Sequence, residues 1–121
     1  MAFIKSTSTV TDTAITIPGL TGGSDGKVVR ISGVNTATNA ANTDSVTQLN
    51  AVLIKQGGVY YASGLVTGFV SLAAGAPYFL SSDGSITATP PTPTATVRAL
   101  YLGFAINSTD LVFRPGIPIS G

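Results

Sequence analysis

The sequence predicts an all-β fold, a single antiparallel β-sandwich or barrel-like domain over residues 1–121 with extended N- and C-terminal segments. Three observations carry this expectation. Helix formers are scarce, with no Glu, three Lys and one Met, while Val, Ile and 17 Thr run throughout the chain. β-Branched side chains lose rotamer freedom in helices and pack well on a pleated sheet. Turn-forming residues recur about every 10 positions, the spacing of a sandwich or barrel. Between two short β-rich runs stands Asp83-Gly84, a pair that favours the positive φ angles of a tight hairpin.

The elements follow in order. Residues 14–17 read as a strand stopped by Pro18-Gly19, and 21–26 as a loop before a strand over 27–32. Residues 35–50 are rich in Asn, Thr and Ala; they read as a long connection, or as one short helix carrying Ala40, Ala41 and Val46. Residues 52–55 form a strand that Gln56-Gly57-Gly58 turns into 59–63. A further strand over 65–70 is interrupted at Gly68, where a bulge or close backbone approach is expected.

Residues 78–81 then pair across Asp83-Gly84 with 85–89, whose alternation points Ile86 and Ala88 inward. Pro90, Pro91 and Pro93 end the pairing. The longest strand expected is 97–106, with Leu100, Leu102, Phe104 and Ile106 on one face and Val97, Ala99, Tyr101 and Ala105 on the other. Both faces are apolar, so both should be covered. Residues 107–110 turn the chain into 111–114. Pro115 and Pro118 exclude the tail from a central strand, because proline donates no ladder bond.

Composition bounds the function. A chain of 121 residues buries roughly 65–70% of its unfolded surface, enough for one core. It has no Cys, which excludes a disulfide framework and a thiolate metal site. Six Lys and Arg are scattered against five Asp, so no basic face for nucleic acid is expected. Charged residues are 9%, against about 25% in ordinary soluble domains, and mean hydropathy is +0.42. Burial against other copies or a larger assembly would account for that economy of charge.

The N-terminus passes from Met1-Ala2-Phe3-Ile4-Lys5 straight to Ser6-Thr7-Ser8-Thr9, without the apolar core of a signal peptide. Residues 56–82 carry no charge and are long enough to cross a bilayer. Five glycines and Pro77 break that stretch into short β-rich pieces, so no membrane span is expected.

Motifs that would carry chemistry are incomplete. Gly26-Lys27 invites a phosphate-loop reading, but Thr21 and Val28 stand where the motif needs Gly and a hydroxyl. Asp12, Asp25, Asp44, Asp83 and Asp110 all lie beside Gly, Ser, Thr or Asn, where Asp commonly bonds its own turn. No pair of them has the setting of a glycosidase dyad, and no calcium-loop spacing occurs. Hydroxyls are abundant, yet with no His none has an activating base of that kind. Asn107-Ser108-Thr109 matches the glycosylation sequon and reads as a turn. Tyr60, Tyr61, Tyr78 and Tyr101 would serve a glycan platform or, as their β-rich settings favour, ordinary packing. No catalytic residue, cofactor, metal or small-molecule substrate is expected.

Residues 64–91 read GLVTGFVSLAAGAPYFLSSDGSITATPP and residues 97–115 read VRALYLGFAINSTDLVFRP. This text resembles a β-rich module of tailed-bacteriophage virion proteins. In that module a Gly-x-x-Tyr-Phe-Leu-Ser strand, a turn Gly, an ITATPP strand and an LGFAINSTDLVF hairpin recur in order. Such modules occur in small head decoration (cement) proteins and in tail-fibre segments, and the resemblance brings no catalytic residue with it.

The resemblance implies a capsid decoration protein, not an enzyme, made in the host bacterial cytoplasm and placed on the outer surface of the virion head. Its partner would be the major capsid protein, and its form a homo-oligomer, a trimer before a dimer. The alternative is a tail-fibre or receptor-binding module that contacts host glycan. The short chain favours the head, since tail fibres embed such modules in longer chains. Contacts between subunits are expected from an N-terminal arm over 1–13, through Phe3 and Ile4, and from a C-terminal strap over 115–121, through Ile117 and Ile119. Equally open at this point is that both ends close sheet edges within one subunit.

Overall fold

The computed structural model describes residues 13–121. The fold is all-β. Its strands are β1 (Ile15–Thr16), β2 (Lys27–Gly33), β3 (Thr36–Asn39), β4 (Val52–Gln56), β5 (Val59–Val66), β6 (Pro77–Leu80), β7 (Ile86–Thr87), β8 (Arg98–Ala99), β9 (Tyr101–Ala105), β10 (Leu111–Phe113) and β11 (Ile119–Ser120). Among the described residues the helical content is one 3-10 turn, Gln48–Asn50. The main sheet runs in the order β3-β2-β4-β5-β10-β9-β6-β7, with β1 beside β5, and β8 and β11 form a separate ribbon. All the strand pairings are antiparallel.

The sheet curls into a half-barrel because β5 serves two neighbours in turn. Residues 59–61 pair with β4, and residues 64–66 pair with β10. The curl brings the β6–β7 turn back against β2, where the Val28 amide donates to the Gly84 carbonyl at 2.7 Å. Val28, Ile54, Val66, Leu80, Leu102 and Phe113 fill the interior, all fully buried. A smaller cluster, Val29, Ala37, Leu53 and Tyr60, covers the outer face of β2 and β4 beneath the loop 20–26. There the Tyr60 hydroxyl donates to the Gly22 carbonyl at 2.6 Å, and the Lys55 ammonium lies 5.2 Å from the Tyr60 ring centre.

Two glycines set which residues face inward. Leu100, just before β9, and Leu102 within it enter the core, and then Ala105 does so in place of Phe104. The shift falls at Gly103, whose φ is +148° and whose absent Cβ would collide with the Val112 carbonyl oxygen. In β5, Tyr61 packs on the core before Gly64, and Val66 does so after it. Gly64 has φ +95° and lies against Thr13 and Ala14. A one-residue bulge moves every later side chain to the other face.

Several sequence expectations are corrected here. Residues 35–50 contain a strand, β3, and no α-helix. Its small Thr-Ala-Thr-Asn text hides the pattern, although Ala37 and Ala40 are buried. Residues 65–70 are not a separate strand: β5 runs unbroken through Gly64, and Gly68 sits in the loop beyond it, against Gln56. The stretch 97–106 divides at Leu100 into β8 and β9, and Ile106 is exposed. The β6–β7 hairpin is as expected but shorter; of its turn pair only Gly84 takes positive φ, and Ala88 is exposed while Ile86 packs on the core. No described helix is long and apolar enough to cross a membrane.

Candidate interaction surfaces

The C-terminal tail is pinned to its own subunit. β11 pairs with β8, Ile119 opposite Ala99 and Ser120 opposite Arg98. The Gly116 amide donates to the Tyr101 carbonyl at 2.9 Å and the Gly121 amide to the Thr94 carbonyl at 3.0 Å. Pro118 is buried, so the residues on either side of it face away: Ile117 is 79% exposed and Ile119 is 59% exposed. The tail thus holds two isoleucines outward on an anchored backbone. Phe3 and Ile4, the other expected contact residues, lie outside the described residues.

A second surface is an open groove of about 600 Å³ between β7 with the residues after it and the loop that follows β5. Ile86, Thr87, Ala88 and Thr89 form one wall, and Phe69 and Val70 belong to the other. The described lining carries no charged side chain. Sequence reasoning missed this groove because it placed a strand over 65–70; the exposed Val70 beside Gly68 was the available signal.

The residues that invited chemistry are occupied with structure. Asp25 accepts from the Gly58 amide at 3.0 Å, and Asp44 accepts from Arg30 Nε and from the Ala41 amide, both at 2.9 Å. Asp83 accepts from the Ser81 hydroxyl at 2.7 Å and the Ser85 amide at 3.0 Å, with Lys27 at 3.5 Å. These hydrogen bonds, Ser81's first, hold the Asp83 carboxyl well below the usual carboxylate range. Asp110 is lowered too, chiefly by the Thr67 hydroxyl and then by Asn107. Asp12 lies outside the described residues.

Asn107 closes its own turn, its side-chain oxygen accepting from the Thr109 and Asp110 amides. The Gly26 amide donates to the Lys55 carbonyl, and the Lys27 ammonium donates to Ser85, so the apparent phosphate loop is a strand-connecting turn. Tyr60 and Tyr78 are buried, and the Tyr78 hydroxyl accepts from the Ala73 amide. Tyr101 packs edge-on against Phe79 at 5.9 Å. Among the described residues no three His, Cys, Asp or Glu are grouped as metal ligands would be.

No family model matches the chain, and neither a curated protein nor a solved structure does so.

Proposed function

We propose that this protein is a capsid decoration protein, which binds the outer surface of a phage head beside the major capsid protein and stabilises adjacent capsomers through buried contact area. The observation that carries this reading is the anchored strap, with Ile117 and Ile119 presented on a backbone already tied to β8. An apolar pair held ready for a neighbour loses little conformational freedom on binding. The low charge of the chain fits a surface meant to be covered, and the phage resemblance of residues 64–115 supplies the setting.

The mechanism is mass action. A ligand that binds only the assembled lattice shifts the equilibrium toward assembly. Each standard-sized contact buries roughly 1,200–2,000 Å² and recurs across a shell. A homotrimer is the form we propose for the bound protein.

Gold-labelled antibody on intact virions tests the placement. Label over the head is the expected result; label confined to the tail would favour a host-glycan adhesin instead. To test the strap, Ile117→Ser with Ile119→Ser should weaken attachment to heads at least tenfold, since burying each isoleucine contributes about 1.5–3 kcal/mol. Undiminished attachment would remove the strap from the account.

A further inference from the structure

β7 and β11 each leave one edge open. β11 pairs with β8 and with no other strand among the described residues. β7, at one end of the main sheet, pairs only with β6 among those residues. The opposite end of that sheet is covered, because Thr21 beyond β3 donates its amide to the Asn35 carbonyl and accepts from the Ala37 amide. On the outer side of β7, Val28 takes the Gly84 carbonyl. The backbone groups of Ile86 and Ala88 face the same way by alternation, and both residues line the groove. On the other wall Val70 is exposed, and Ser71 beside it is held at φ +57°, a left-handed conformation uncommon outside glycine. Backbone strain of this kind collects at binding surfaces.

We infer that the C-terminal strap of one copy docks along β7 of a second copy, with Ile117 and Ile119 in its groove. The strap does not serve its own groove. The Gly116 and Gly121 amides tie it to Tyr101 and Thr94, and with Pro118 buried both isoleucines still stand exposed. Charge matches: residues 115–121 carry no charged side chain, and neither does the described groove lining. A charged segment would bury an unpaired charge there. Spacing matches as well. Ile117 and Ile119 lie two residues apart, about 7 Å along an extended chain, and so do the outward positions Ile86 and Ala88. The groove of about 600 Å³ falls within the roughly 300–1,000 Å³ of pockets that enclose small ligands, room for two such side chains. An extended segment laid on an open edge gains backbone hydrogen bonds, while the groove receives its side chains. Strap and groove are different patches, so the contact is head-to-tail and closes into a ring when the rotation allows. The inference rests on the reading above only in treating the strap as a contact surface. It deepens that reading by naming the neighbour that the strap meets, and it gives the homotrimer its contact. Attachment to heads then weakens in strap variants because the ring is lost.

Sedimentation equilibrium of the full chain tests it. The wild type should self-associate as its concentration rises. Ile117→Ser with Ile119→Ser, or Val70→Asp alone, should raise the dissociation constant about tenfold or more. All three positions are exposed, so the variants keep the fold. Mixed in equal amounts, the strap variant supplies an intact groove and the groove variant an intact strap. A heterodimer should therefore form that neither variant makes alone. A wild type that stays monomeric up to its solubility limit would overturn the inference, as would either variant associating like the wild type, or a mixture without heterodimer. Trimers that need both strap and groove yet attach to no head would support the inference and sink only the decoration reading. Heads decorated by monomers would sink the inference alone.

Discussion

Gly103 and Gly64 decide which side chains reach the core, and they do so through backbone rather than side-chain chemistry. A Cβ at Gly103 meets the Val112 carbonyl at a φ of +148°, so the sheet must shift to admit it. Gly103→Ala should lower stability by about 2–4 kcal/mol in a urea titration. Gly116→Ala, whose new Cβ finds nothing nearer than 3.7 Å, should change it by no more than about 0.5 kcal/mol. Asp83 supplies a pH signature. Its carboxyl is held below the ordinary aspartate range by the Ser81 and Ser85 hydrogen bonds, so its stabilisation is complete above that range and is lost as pH falls toward the lowered value. Asp83→Asn should therefore lower Tm at pH 7 and shrink the loss of Tm between about pH 4 and pH 2. Melting curves across that range check it, and an unchanged acid limb would contradict it. The glycines were visible in the sequence; their effect on 97–106 was not, because an apolar residue stands on both sides of the bulge.

The hairpin over β6 and β7 was legible because strand text, turn residues and alternation agree there. β3 was not, because its one buried residue, Ala37, is small and its neighbours are hydroxyl-bearing or amide. What orders residues 40–50 is tertiary: Leu49 enters the core, and Asp44 ties the Ala41 amide to Arg30 on β2. That half-buried ion pair contributes more than a surface pair because hydrogen bonds to charged groups add about 1.5–3 kcal/mol. Asp44→Ala should cost about 1–2 kcal/mol in the same titration and raise the exchange rate of the Ala41 amide. Wild-type protection at Ala41 would contradict this account of the segment. The tail was half legible. Its prolines ruled out a central strand, and its pairing with β8 depends on where the rest of the fold brings Arg98 and Ala99.

The half-barrel joins an interior that fixes the fold to an exterior on which Val70, Ile117 and Ile119 are exposed. Fold class was readable because composition, turn spacing and alternation all point to antiparallel sheet. The candidate site was less so: Ile117 and Ile119 could be chosen from the sequence, but their outward direction depends on Pro118 turning inward, and the groove depends on curvature that no local pattern encodes. The central claim is that the folded chain acts by clamping an assembled shell. Heads purified without this protein, then titrated with it and heated, test that claim most directly. Saturable binding with a rise in the temperature at which heads release their genome is the result expected. No binding, or binding that leaves the release temperature unchanged, would contradict it.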